Sequence, residues 1–423
     1  MVIRIRWENN IVWPLLMLYM LQFFFGAHKA VFAVCLLWMA YLTIKNSSFT
    51  VMLPRVSGLL FFCIVIVGSI FVGFFANEFN DVVRDIFYSC QSILIITLGY
   101  LYCRLDNKKS IKKTLYVAGI IMSVITLIRI IINIPNLSDL DSVRSIGNLN
   151  VYEVAMIVSI MIADKILLKK VIFSKTKDWL AIFIMLIKII ISMGRTEMVS
   201  MVIMVGIIFV MDIYFSKKKS RDILKIGGVL LLAAALIVAM YAVLPQEAKD
   251  EFTTKIDNSF NEVEADLEYD NFIEAISHWR GFEIDQAQKQ WKNSDVMTQL
   301  IGGGFGTFIK MKYLPSEYTE DMHKGNSISI LHNTYYTLLI KCGLIGVAAI
   351  LWLYVSNLLL VFRPKYRRNK EQLATLCALT AAIMFMSYIV MANYNGGMYI
   401  TWGIMTGWTN ALIRNNNNEK TLT

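Results

Sequence analysis

Apolar residues gather along this chain in long blocks, and short polar stretches separate one block from the next. Most blocks run for roughly 15 to 25 residues, which as a helix rising about 1.5 Å per residue is the length that crosses a hydrocarbon layer. Hydropathy over such windows predicts about twelve spans, at 11–26, 30–44, 57–76, 83–102, 114–134, 150–168, 178–194, 196–215, 224–244, 331–362, 372–392 and 398–413. The first follows Arg4 and Arg6 as a secretory leader would. No small-x-small cleavage site precedes the second, so the first reads as a retained helix.

Composition fixes the class. With 57% hydrophobic residues among 423 and a mean hydropathy of +0.55, most of the chain cannot be the inside of one soluble core and has lipid as its solvent. The expectation is an all-α integral membrane protein of about twelve transmembrane helices. Lysine and arginine then orient it, because basic residues near span ends stay on the cytoplasmic side. They cluster in alternate connections: Arg104 to Lys113, Lys165 to Lys177, Lys217 to Lys225 and Arg363 to Lys370. The intervening connections, such as NEFND at 77–81 and NYNGG at 393–397, carry few or none. Both termini are therefore expected in the cytoplasm. The net charge of +10 is accounted for by these clusters and by anionic head groups, so no nucleic acid is needed as a partner. All six cysteines fall in or at the end of apolar spans, which implies no disulfide framework and no zinc site.

Three regions follow: spans one to nine at 1–244, a large external loop at 245–330, and the last three spans with a cytoplasmic tail at 331–423. The loop holds 16 of the 31 acidic residues and reads as a small subdomain. Within it, 270–291 has helical periodicity, with Phe272, Ile276, Trp279, Phe282, Ala287 and Trp291 on one half of the wheel, a face that must dock on something. IGGGFGTF at 301–308 is a glycine-dense turn, suited to backbone freedom or to close approach to a ligand. The tail Asn415 to Asn418 is expected to be disordered.

Three external residues are placed where charge is costly or unexpected. Arg195, in ISMGRTEMVSM, lies where a helix N-terminus and a guanidinium could meet an anion together, or where an interfacial arginine snorkels. Arg280, in SHWRGFE, sits at the edge of the apolar face of the loop helix; it either points to the membrane domain or pairs with Glu283 at i, i+3. His332 opens the tenth span, in LHNTYYTLL. It could act as a general base, hold an anion as imidazolium, or serve as a polar cap, with Tyr335 and Tyr336 sharing its face or forming part of an aromatic belt. Lys188 and Lys341 lie inside spans and either line a cavity or snorkel. Arg84, Arg129 and Arg144 lie near external ends.

Taken together, SMGRTEMVSM, the loop arginine followed by GGGFGTF, and LHNTYYTLLIKCGLIG resemble the O-antigen polymerase and O-antigen ligase superfamily over roughly 180–350. The resemblance implies a GT-C-like, multi-span bacterial inner-membrane glycosyltransferase acting on undecaprenyl-diphosphate-linked oligosaccharide at the periplasmic face. It implies that Arg195 and Arg280 bind the diphosphate and that His332 sits at the acceptor or leaving group. Asn333, Tyr335, Tyr336 and Gly304 would complete the substrate site. The reaction expected is an inverting, cofactor-free and metal-independent displacement, in a polymerase extending surface polysaccharide, possible chain-length regulator proteins being its partners. Alternatives are a ligase transferring polymer to lipid A-core, or a lipid-linked glycan flippase. A transporter would show midplane ionisable groups in two related halves, which the single large loop breaks.

Overall fold

The computed structural model describes residues 12–25, 28–45, 55–105, 110–133, 151–168, 171–192, 195–215, 269, 271–314, 323–392 and 398–418. In lipid, backbone N–H and C=O groups find no water, so an apolar block closes its hydrogen bonds within itself as a helix. The chain does this at α1 (Val12–Phe25), α2 (His28–Lys45), α3 (Leu59–Ala76), α4 (Phe79–Leu105), α5 (Ser110–Ile132), α6 (Val151–Leu168), α7 (Lys175–Ser192) and α8 (Arg195–Phe215). The external loop contributes α9 (Phe272–Ser277), α10 (Trp279–Lys292), α11 (Val296–Ile301) and three short strands, β1 (Ile309–Lys310), β2 (His323–Lys324) and β3 (Ser327–Ile328). Then come α12 (Thr334–Leu358), two 3-10 turns, α13 (Lys370–Ile389) and α14 (Met398–Asn418). Eleven of the twelve expected spans coincide with helices, and the ninth, 224–244, lies outside the described residues. Six of them (α3, α4, α5, α8, α12 and α13) are long and apolar enough to cross a membrane. The chain is thus a multi-pass, all-α membrane protein. Asn415 to Asn418, expected to be disordered, continue α14 as helix.

The helices sort into two ends as the alternating connections require. At one end Lys112 Nζ lies 2.5 Å from both Asp164 Oδ1 and Glu371 Oε1, and the Tyr116 hydroxyl donates to Asp164 Oδ2 at 2.7 Å. This ties the start of α5 to the end of α6 and the start of α13. At the same end Lys370 Nζ donates to the Phe215 carbonyl at 3.2 Å, so α8 and α13 run antiparallel side by side. At the other end Thr401 donates to Glu153, joining the starts of α14 and α6, and its hydroxyl lies 2.8 Å from that of Tyr19 on α1. The long contact between α4 and α14 is made close by small residues: a Cβ on Gly407 would stand 2.0 Å from the Ile96 carbonyl, and one on Gly99 2.3 Å from that of Ile404.

The loop elements form a small layer on the second end, with their own core of Tyr269, Ala275, Phe282, Ala287, Ile309, Met311, Ile328 and Leu331, continuous with Ile340 of α12. The strands pair antiparallel in the order β1-β3-β2, with Ile309 opposite Ile328 and Lys324 opposite Ser327. The helix expected over 270–291 is in fact two, because His278 (φ −119°, ψ 39°) leaves helical geometry. The break turns the predicted face: Phe282 and Ala287 are buried, while Phe272 and Ile276 are exposed.

The glycine-rich turn wedges between the membrane helices. Asn77 Nδ2 donates to the Gly303 and Phe305 carbonyls at 3.0 and 2.9 Å, and the Phe305 amide donates to the Ser69 carbonyl at 3.0 Å. The Gly303 and Gly304 amides donate to the Ile340 and Lys341 carbonyls. These acceptors are available because α12 breaks at Gly343, whose φ of +65° removes it from the helix. Gly343 must be glycine on two counts, since a Cβ there would also stand 2.2 Å from the Leu300 carbonyl oxygen. Lys341 is fully buried beside Asp85, and Asp85 Oδ2 also accepts from the Gly306 amide at 2.7 Å.

Candidate functional site

Helix α10 presents Glu283, Gln286 and Gln290 along one face, at i, i+3 and i+7. All three reach the backbone of later segments. Gln290 Oε1 accepts from the Lys310 amide at 2.9 Å and Gln286 Oε1 from the Lys312 amide at 3.3 Å. Glu283 Oε2 accepts from the His332 amide at 2.9 Å, and Glu283 Oε1 lies 2.9 Å from His332 Nδ1. One carboxylate therefore fixes both the backbone and the ring of His332. Glu283 is wholly buried, while the His332 side chain keeps 34% of its surface. The charge on Glu283 raises the His332 pKa above its ordinary value; burial and the nearby Arg280 guanidinium pull the other way and only moderate it.

The next residue locks the turn. Asn333 is the N-cap of α12, its Oδ1 accepting from the Tyr335 and Tyr336 amides at 3.0 and 3.2 Å. Its Nδ2 donates to the Tyr388 carbonyl at 2.9 Å, at the end of α13. Thr337 Oγ1 accepts from the Leu331 amide at 3.0 Å and closes the turn from below. The two tyrosines diverge: the Tyr335 hydroxyl donates to the Met384 carbonyl at 2.7 Å, whereas that of Tyr336 accepts from Gln288 of α10 at 2.6 Å.

The sequence-derived residues divide as follows. Arg280 and Glu283 both stand on α10, Glu283 holds His332, and the Arg280 guanidinium charge opposes, as the smallest influence, the rise that Glu283 causes in the His332 pKa. Arg195 is the first residue of α8. Since α8 and α13 are antiparallel neighbours, that start lies at the same end of the bundle as Tyr388, to which Asn333 is bonded. The side chain of Arg195 and all of Arg144 lie outside the described residues. Asn333, Tyr335 and Tyr336 are tied into the scaffold around His332. Gly304 is buried with a φ of +81°, and its close approach is to the backbone of α3, where a Cβ would stand 2.4 Å from the Gly73 amide nitrogen. Lys341 faces Asp85, and Lys188, fully buried, lies 3.8 Å from Glu197. Arg84 is held by Asp81 at 2.8 Å, and Arg129 stands over the rings of Phe23 and Phe24.

Glu283 is the residue whose part sequence reasoning missed, having been paired with Arg280 by helical spacing. Asp139 and Asp141 were also passed over. They form an Asp-x-Asp spacing in the connection between α5 and α6, of the kind that can hold a divalent ion on a diphosphate, and they lie outside the described residues.

The arrangement can do acid–base work on an anionic substrate. A carboxylate on Nδ1 sets the ring's tautomer and leaves Nε2 for chemistry, with a guanidinium beside it for negative charge. Fold and site together define a class: a multi-pass α-helical membrane protein whose loop layer on one face holds a carboxylate–histidine pair at the head of a span. Residues 180–351, about two-fifths of the chain, match the family model described as O-antigen ligase, which supports the O-antigen ligase and polymerase superfamily, whose members are glycosyltransferase-like enzymes. The matched stretch runs from within α7 to within α12 and contains Arg195, Arg280, Glu283 and His332. No curated protein matches the chain.

Proposed function

We propose that this chain is a polysaccharide polymerase of the bacterial inner membrane. It transfers a growing glycan from undecaprenyl diphosphate to a lipid-linked repeat unit at the periplasmic face. The observation that carries the mechanism is the Glu283–His332 contact with Arg280 beside it. The attacking sugar hydroxyl gives its proton to His332 Nε2 as its oxygen bonds to the anomeric carbon. The bond from that carbon to the diphosphate oxygen breaks on the opposite face, so the configuration inverts. Glu283 stabilises the imidazolium that forms, and Arg280 and Arg195 neutralise the departing diphosphate. Oligosaccharide lipid and bilayer are the partners required by this reading, and a chain-length regulator is a further one.

The matched family's description favours a second reading, a ligase transferring finished polymer to lipid A-core. Polymerase is preferred because the match covers only 180–351, and the remainder of the chain is as divergent as an enzyme adapted to one particular glycan would be.

The test uses purified full-length protein, a lipid-linked oligosaccharide donor and a lipid-linked acceptor, with chelator present. Wild type is expected to lengthen the acceptor, and His332→Ala, Arg280→Ala and Arg195→Ala each to lose about a hundredfold or more in kcat/KM while remaining folded in detergent. Unchanged transfer in all three would overturn the site. A strict divalent-cation requirement would move the chemistry toward Asp139 and Asp141.

A further inference from the structure

At the end away from the candidate site, three spans stop at one basic turn. The membrane-crossing stretches of α8 and α12 end at Phe215 and Phe362, and that of α13 begins at Lys370. Between the last two the chain makes its 3-10 turns, Leu359–Phe362 and Pro364–Asn369, and the second, PKYRRN, sets cations at the level where hydrocarbon gives way to lipid head groups. The turn is anchored from inside: Tyr366 is buried among Leu360, Val361, Leu373 and Leu376, and its amide donates to the Arg363 carbonyl at 3.0 Å. Around this anchor Arg363, Lys365, Arg367 and Lys370 are exposed, and among the described residues none of the four is paired with a carboxylate. The nearest in sequence, Glu371, turns inward to Lys112. The cations rest on rings instead. Lys365 Nζ stands 4.8 Å from the ring centre of Tyr366, Arg367 Cζ 6.0 Å from that of Tyr214 and Lys370 Nζ 5.9 Å from that of Phe215. Tyr214 of α8 meets Phe362 at the end of α12, with ring centres 6.4 Å apart, and Leu359, Phe362 and Tyr214 keep exposed apolar surface beside the charges.

We infer that this turn is a binding site for an anionic phospholipid of the leaflet opposite the candidate site, its phosphate on Arg363, Lys365 and Arg367 and its acyl chains against Phe362 and Leu359. Charge complementarity decides the occupant. Cations without carboxylate partners, at head-group depth and next to exposed apolar side chains, match a ligand that is anionic at one end and hydrocarbon at the other, and planar guanidinium groups suit phosphate oxygens. Diffuse attraction to a charged bilayer would draw equally on every basic connection at this end. A site differs because the buried Tyr366 and the seam between Tyr214 and Phe362 fix these particular cations over one lipid-sized position. The turn also straddles α8 and α13, through Arg367 Nη2 at 3.4 Å from the Tyr214 hydroxyl and Lys370 on the Phe215 carbonyl. A lipid seated there braces that helix pair, whose other ends carry Arg195 and the carbonyl that holds Asn333.

Native mass spectrometry of the full-length protein, released from nanodiscs of mixed phosphatidylglycerol and phosphatidylcholine, tests the assignment. Wild type is expected to retain phosphatidylglycerol in preference to phosphatidylcholine. The double variant Lys365→Gln/Arg367→Gln should weaken that retention about tenfold or more. The control, Lys175→Gln/Lys177→Gln, removes the same charge from exposed positions at the start of α7 and should leave retention unchanged. Equal loss in the two doubles would reduce the effect to diffuse attraction and overturn the site, as would a wild type without preference between the lipids. Displacement of the retained lipid by millimolar inorganic phosphate would make the turn a free-anion site and overturn the lipid assignment. A second measurement needs no variant to fold as wild type does: added phosphatidylglycerol should raise the Tm of wild type in detergent where phosphatidylcholine does not, and equal shifts from both lipids would count against the site.

Discussion

In the proposed reaction His332 carries the chemistry because of what Glu283 does to it. A lone histidine before an apolar span has several uses, and nothing in LHNTYY selects among them; the 2.9 Å contacts from one buried carboxylate to its amide and ring, with Asn333 as the N-cap, set aside only the polar cap. That partnership could not be read from the sequence. Glu283 lies 49 positions away, and the only partner its helical spacing offers is Arg280. Arg280 and His332 were legible because a charged or titratable group at a membrane boundary stands out against its surroundings. The raised pKa gives the pH dependence its sign. The paired imidazolium contributes stability fully below the unfolded value of about 6.5, and that contribution is lost as pH rises through the raised folded value. If neutral His332 is the base, kcat/KM rises over that same upper range. Glu283→Gln should shift the midpoint of the rise to lower pH and reduce kcat, as a titration of initial rates would record. Activity that falls across this range in wild type would instead assign the imidazolium to holding phosphate.

At the scale of elements, the spans were legible because lipid enforces one solution, a closed helix of sufficient length, wherever an apolar block is long enough. What the pattern did not reveal were the interruptions. His278 splits the loop helix, and Gly343 breaks α12 where the residues on either side are as apolar as any helix interior. Such breaks arise from tertiary demand: the carbonyls of Ile340 and Lys341 are needed by Gly303 and Gly304, and the Leu300 carbonyl occupies the space a Cβ would take at Gly343. The glycine-dense turn, read as suited to backbone freedom or to close approach to a ligand, approaches the backbone of α3 and α12. Gly343→Ala is expected to destabilise the docking of loop on membrane helices by roughly 1–3 kcal/mol, seen as a lower Tm in detergent and faster proteolysis of the loop. Gly68→Ala, where a Cβ would meet nothing within 4 Å, should leave both unchanged or slightly improved. Identical behaviour of the two variants would refute this account of the break.

The whole molecule brings these elements to one end. The loop layer, the starts of α4, α8 and α12 and the end of α13 share a face, and Lys112, Asp164 and Glu371 mark the opposite one. Alternating lysine and arginine clusters foreshadowed that successive connections fall at opposite ends. They could not foreshadow that α8 and α13 stand side by side, the adjacency that puts Arg195 and the turn around His332 at the same end of one helix pair. The proposed site, at one end of the helix bundle, suits a substrate that stays anchored in the bilayer while its sugar reacts above. In the proposed reaction such a substrate is lengthened there. The most direct measurement is the surface glycan profile of a strain lacking this chain, complemented with wild type or His332→Ala. Core carrying a single repeat unit is expected in the deletion and in the His332→Ala strain, with full-length polymer restored by wild type. Bare core with polymer retained on its carrier lipid would contradict polymerisation and assign the chain as a ligase.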